Sequence, residues 1–121
     1  MRLKILIIED NLNNLYLMEL LLKHAGFLTL SAPNGAQGVD AAKRERPDLI
    51  LMDIQMPVMD GFAATGLLKQ DPTTKDISVI GVSSFATAQS RNQGLNVGMS
   101  AYIEKPIDPE NFIAQIKPYL P

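Results

Sequence analysis

Four short apolar runs in this chain each stop at residues able to do chemistry. Ile5-Leu6-Ile7-Ile8 stops at Glu9-Asp10, Leu49-Ile50-Leu51-Met52 at Asp53, Val79-Ile80-Gly81-Val82 at Ser83-Ser84, and Ala101-Tyr102-Ile103 at Glu104-Lys105-Pro106. Continuous apolar runs of this length read as strands buried on both faces. In an open parallel α/β sheet, ligands bind outside the carboxyl ends of the strands. Glu9, Asp10, Asp53, Ser83 and Lys105 are therefore expected along one edge. Two unit charges of like sign about 4 Å apart repel by about 4 kcal/mol at an effective dielectric near 20. A divalent cation with oxygen ligands offsets such a cluster, and Mg²⁺ characteristically takes one or two protein carboxylates plus waters and phosphate oxygens. Lys105 supplies part of the compensation without metal. A carboxylate beside Mg²⁺ and an ammonium group can attack a phosphoryl group, while the two cations neutralise charge on the transferring oxygens.

The elements between these runs must bring them together. Leu15, Met18, Leu21, Leu22 and Ala25 recur at helical spacing, after a cap at Asn11 or Asn13 and before Gly26 as the terminating residue. Residues 27–32 read as a second strand, and Pro33-Asn34-Gly35 as a turn. Ala36, Val39, Ala41 and Ala42 line a second helix that Pro47 stops. A loop over 55–61 holds Met56-Pro57 and Asp60-Gly61, and a short helix follows over about 62–69. Residues 87–97 form the weakest helix, since they are polar and Gly94 costs about 1 kcal/mol relative to alanine in a helix interior. Asp108 as N-cap and Pro109 at the first helical position open a last helix. Its buried face is Phe112, Ile113 and Ile116, and Pro118 ends or kinks it. Five strand–helix repeats with continuously apolar strands predict an α/β fold, (βα)5, a doubly wound five-stranded parallel sheet covered on both faces.

Composition narrows the function classes. At 121 residues the chain is one domain, 1–121, able to bury about two thirds of its unfolded surface. The absence of Cys excludes a disulfide frame, a thiolate metal site and a Cys nucleophile. A net charge of −2 argues against a broad nucleic-acid surface. The mixed charges of Lys43-Arg44-Glu45-Arg46 read as a solvated helix end. No apolar run approaches the roughly 20 residues that span a bilayer. The segment after Met1-Arg2-Leu3-Lys4 is too short for a signal-peptide core. A soluble, cytoplasmic protein with neither nucleic-acid nor membrane partners is expected.

Taken in order, the motifs resemble the receiver domain of bacterial two-component response regulators. The matching residues are Glu9-Asp10-Asn11 with Asn14, the stretch from Leu49 through Asp53-Ile54-Gln55-Met56-Pro57, Asp60-Gly61, Val79-Ile80-Gly81-Val82-Ser83, and Tyr102-Ile103-Glu104-Lys105-Pro106. The resemblance runs from about residue 4 to 118. It is nearest to single-domain regulators of the DivK type or to receivers of hybrid sensor kinases. It implies a flavodoxin-like strand order 2-1-3-4-5 and a signalling module rather than an enzyme. It implies Asp53 as phosphoacceptor, and Mg²⁺ held by Asp10, Asp53 and the backbone carbonyl of Gln55, with Glu9 acting through water. Lys105 would pair with the phosphoryl group, Ser83 would be the switch hydroxyl and Tyr102 the aromatic that changes rotamer. Lys105-Pro106 is a candidate cis bond. The implied partners are a sensor histidine kinase or histidine phosphotransfer protein, and a downstream protein target. With no effector domain expected after Pro121, output would be by protein contact, through the 87–97 helix, strand five and the last helix, unless the chain is a fragment of something longer. The chain departs from the family pattern in Ser83, where Thr is commoner, and Ser84, where Ala or Gly is usual. Phe85 stands where a water-directing side chain would speed dephosphorylation, which suggests slow intrinsic hydrolysis. Pro118 shortens the last helix.

Other readings of the same residues are weaker. A flavodoxin-like nucleotide binder needs a Ser/Thr/Gly phosphate loop where Glu9-Asp10-Asn11 stands, and neither a Gly-x-Gly-x-x-Gly nor a Gly-Lys-Ser/Thr loop is present. An aspartyl-phosphate hydrolase needs a second acid two residues after its nucleophile, and that position is Gln55. His24, late in the first helix, reads as exposed or helix-capping. Met18, Met52, Met56, Met59 and Met99 read as packing residues.

Overall fold

The four apolar runs and the expected second strand are all strands. The computed structural model describes residues 2–121. It joins β1 (Lys4–Ile8), β2 (Leu28–Ala32), β3 (Leu49–Asp53), β4 (Ser78–Ser83) and β5 (Ala101–Glu104) in one parallel sheet of order β2-β1-β3-β4-β5. The crossovers are α1 (Leu12–His24), α2 (Gly35–Glu45), α3 (Gly61–Gln70) and α4 (Ala88–Val97), and α5 (Phe112–Ile116) follows β5. Strand side chains alternate in direction, so the sheet divides the core in two. Ile5, Ile7, Leu49, Leu51, Ile80 and Val82 meet Leu15, Met18 and Leu22 of α1 and Phe112 and Ile116 of α5. Leu6, Ile8, Ile50, Met52 and Val79 meet Val39 and Ala42 of α2 and Ala64 and Leu68 of α3.

Local chemistry sets the helix ends. Asn11, not Asn13, caps α1: its side chain accepts from the Asn14 N–H at 3.0 Å. At the other end Gly26 takes φ 96°, and the N–H groups of Gly26 and Phe27 reach the carbonyls of Lys23 and Leu22. Asn34 and Asp60 cap α2 and α3 in the same way. The Pro33-Asn34-Gly35 segment is thus a helix start rather than a free turn. Arg46, at φ 46°, closes α2 just before Pro47.

Three expectations need correction. Ala25 and Ala36 are exposed, not on buried faces, because each sits at a helix end where the apolar stripe has already turned outward. The last helix begins at Phe112 with Asn111 at its N-cap position. Asp108 instead closes the preceding turn, accepting from the Glu110 N–H at 3.1 Å and the Asn111 amide at 2.6 Å. Beyond Ile116 the chain tightens into a 3₁₀ turn, Lys117–Tyr119, as Pro118 demands. Met18, Met52, Met56 and Met99 are buried packing residues, and Met59 packs half-buried against them.

Register is what assembles the site. Ile8 pairs with Met52 on one side and Ala32 on the other. Glu9 and Asp53 therefore stand side by side one step past that row. Asp53 pairs with Val82, and Ser83 pairs with Glu104, which places Ser83 and Lys105 at the same edge. No helix among the described residues is long and apolar enough to cross a membrane.

Candidate functional site

The carboxyl edge of the sheet brings together Glu9, Asp10, Asp53, Ser83 and Lys105. Carboxylate oxygens of Glu9, Asp10 and Asp53 all lie within 4.8 Å of one another. Glu9 and Asp53 are buried, whereas Asp10 is exposed. Lys105 reaches between the two buried acids. Its Nζ lies 2.9 Å from Glu9 Oε1 and donates to Asp53 Oδ1 at 3.0 Å. The Glu9 contact is close but poorly angled, so Oε1 is a buried oxygen without a hydrogen-bond partner. Glu9 Oε2 accepts from the Asn11 N–H at 3.3 Å.

Burial shapes the electrostatics. Desolvation, helped by the neighbouring Asp53, pushes the Glu9 carboxyl up to about 7 against the lowering influence of Lys105. Burial also pulls at the Lys105 ammonium, but the carboxylates of Glu9 and Asp53 beside it outweigh that and leave Lys105 above its ordinary value. Three acids facing one ammonium leave the cluster short of positive charge. The donor set is all hard oxygen. These residues fit Mg²⁺.

The loops around the cluster are tightly built. A Cβ on Gly61 would meet the Asp53 carbonyl oxygen and lie 2.9 Å from Ile54 Cα, so only glycine lets α3 start against the back of Asp53. Ser83 is buried, and its Oγ accepts from the Phe85 N–H at 3.0 Å. Phe85 itself is exposed. Gln55 lies on the exposed loop two residues past Asp53, and the Lys105-Pro106 peptide is cis.

Comparison with known proteins agrees with this geometry. The family described as response regulator receiver domain matches residues 5–117. The chain belongs to the response regulator receiver domain family. DivK of Brucella anthropi, a polar-differentiation response regulator, is 41% identical over 116 residues, which is 96% of this chain and 94% of the relative. DivK of Brucella ovis is 40% identical over the same length. The receiver domain of a sensor histidine kinase from Pseudomonas aeruginosa, solved with a magnesium ion coordinated in its active-site cleft, superposes with a TM-score of 0.90 at 29% identity, covering 98% of each chain. A Vibrio cholerae chemotaxis protein matches with a TM-score of 0.94 and 23% identity over 99% of this chain and all of its own, which shows the shared fold.

As a receiver domain, the chain is a signalling module of two-component systems rather than an enzyme. Its acidic triad is consistent with the phosphorylation site of the family. The receiver's remaining sequence-predicted residue, Tyr102, lies away from the triad, with its ring against Met99 in a slot between β4 and α4. A Cβ on Gly81 or Gly94 would come within 3.3 Å of that ring. Gly94 is therefore a packing requirement, which its helix propensity does not reveal. The sequence motifs name Gly61 within Asp60-Gly61 but not its packing against Asp53 and Ile54, and one further contributor escaped the sequence reading. Arg91 carried no signal in an otherwise polar helix, yet it bonds the carbonyls of Ala86 and Tyr102. His24 lies exposed in the last turn of α1, away from the site.

Proposed function

We propose that Asp53 accepts a phosphoryl group from the phosphohistidine of a sensor histidine kinase or histidine phosphotransfer protein. The observation that carries this reading is the Lys105 ammonium lodged between Glu9 and Asp53, at 2.9 and 3.0 Å, beside a carboxylate triad short of positive charge. An Asp53 carboxylate oxygen attacks phosphorus as the phosphorus–nitrogen bond breaks, and the electron pair returns to the donor's imidazole. Lys105 neutralises oxygen charge on the transferring group. Asp10, Asp53 and the Gln55 carbonyl would hold Mg²⁺, with Glu9 acting through water. When bound, the ion supplies further neutralisation of the phosphoryl oxygens.

The switch then runs through Ser83. New phosphoryl oxygens draw its hydroxyl from the Phe85 N–H, the loop after β4 moves, and the surface of α4, β5 and α5 changes for a downstream protein. One charged hydrogen bond is worth about 1.5–3 kcal/mol, whereas moving a population from 1:99 to 99:1 needs about 5.5 kcal/mol. Either Lys105 and loop contacts therefore add to the Ser83 bond, or the free protein already samples the active arrangement.

The test is intact mass after incubation with a small phosphoryl donor and Mg²⁺. One added phosphoryl group is expected, absent from Asp53→Asn and from metal-free samples. A folded wild-type protein that takes none overturns the reading.

A further inference from the structure

Tyr102 poses a problem that the proposed switch leaves unsolved. Its hydroxyl is buried and has no hydrogen-bond partner. A buried polar group without a partner is unfavourable, and β5 lies at the sheet edge with only β4 beside it. Packing against Met99 over Gly81 and Gly94 fills the slot, but something must hold the ring there. Arg91 is placed to do so. Its Cζ lies 5.6 Å from the centre of the Tyr102 ring, within the range of a cation–π contact. The same guanidinium donates through Nη1 to the Tyr102 carbonyl at 3.3 Å and through Nε to the Ala86 carbonyl at 3.1 Å. Ala86 neighbours Phe85, whose N–H binds Ser83 Oγ. One half-buried side chain thus joins α4, the loop that follows the switch hydroxyl, and the backbone and ring of β5's aromatic.

We propose that Arg91 is a positioning residue that holds Tyr102 inward and so tunes the affinity of the phosphoryl site. The proposal rests on the reading of Asp53 as phosphoacceptor. Arg91 touches neither Asp53 nor the triad; it acts by biasing the arrangement that the phosphoryl site favours. By linkage, a group that stabilises the inward ring strengthens phosphoryl binding by up to the same factor, through the fraction of molecules with the ring inward. A cation–π contact with two backbone hydrogen bonds supports an effect of about three- to tenfold.

The experiment measures the dissociation constant of Mg²⁺ with beryllofluoride, an acyl-phosphate mimic, on the full chain. It also follows the Tyr102 ring by NMR in the free protein. Arg91→Ala is expected to weaken the mimic by about three- to tenfold and turn the ring outward into water. Arg91→Lys keeps the cation and should recover part of both effects. In a Tyr102→Ala background, Arg91→Ala should weaken the mimic by less than twofold. A purely structural role for Arg91 would give neither the ring signature nor the dependence on Tyr102. If wild type binds the mimic but Arg91→Ala binds equally well, or its ring stays inward, the proposal fails alone. An equal loss in the Tyr102→Ala background also refutes it. If folded wild type does not bind the mimic at all, the phosphoacceptor reading fails with it.

Discussion

Replacing Lys105 by Met should destabilise the metal-free domain by an amount that depends on pH. At an effective dielectric near 20, each Lys105 contact of 2.9 or 3.0 Å is worth about 5–6 kcal/mol before desolvation, which cancels much of it. Removing one partner of a buried ion pair costs roughly 3–5 kcal/mol if the other stays charged. Here Glu9 need not stay charged, because its carboxyl already titrates at about 7. Below that pH, wild type and variant both carry a protonated Glu9, and only the bond to Asp53 is lost. Above it, wild-type Glu9 is ionised folded and unfolded, so its stability is flat with pH. In Lys105→Met the lowering influence of the ammonium is gone, and the Glu9 carboxyl rises further. The folded variant then keeps a proton that the unfolded chain has released, and stability falls as pH rises. At about 1.4 kcal/mol per pH unit, the step from 7 to 8.5 adds about 2 kcal/mol to the cost. Urea unfolding without metal should give a loss of about 2 kcal/mol at pH 6 and about 4 kcal/mol at pH 8.5. Equal losses at the two values would refute the shared-charge account of Glu9, Asp53 and Lys105.

Mg²⁺ bound as proposed would compete with the Glu9 proton, so its affinity should fall as pH drops below about 7, by up to about tenfold per pH unit. Calorimetric titration at several pH values checks this, and Glu9→Gln should flatten the profile. Gly61→Ala should cost about 1–3 kcal/mol in urea unfolding and slow phosphorylation by a small donor, because the new methyl pushes on the backbone of Asp53 and Ile54. Asn34→Ala removes the cap on Gln37 N–H and should lower stability by about 0.5–2 kcal/mol with Mg²⁺ binding unchanged.

Most of this site can be read before any coordinates. Four of the five strands contain a continuous apolar run or nearly so, and the chemistry begins where the run stops, so Glu9, Asp53, Ser83 and Lys105 could be placed on one edge from the chain alone. Their register needed only that the strands be parallel. What stayed hidden depends on partners far away in the chain. Gly94 looks like a defect in α4 until the Tyr102 ring is seen against it, eight residues on and in another element. Arg91 is one polar residue among several, and its neighbours in space are carbonyls that every residue carries. Asp108 has the right type and spacing for a cap, but the chain spends it on the turn before α5. Asn11 and Asn13 differ only in which one the backbone leaves extended.

The sheet that carries this edge also works as a partition wall. Ile5 and Ile7 answer to α1 and α5, while Leu6 and Ile8, their immediate neighbours in the chain, answer to α2 and α3. Tyr102 and Met99 belong to the second compartment. A change of side-chain volume under α1 must cross a layer of hydrogen-bonded backbone to be felt at the Tyr102 slot. Substitutions in opposite compartments should therefore add in their effects, as distant sites do. Each half of the interior is free to drift in sequence without the other's consent, provided the wall between them keeps its pairing.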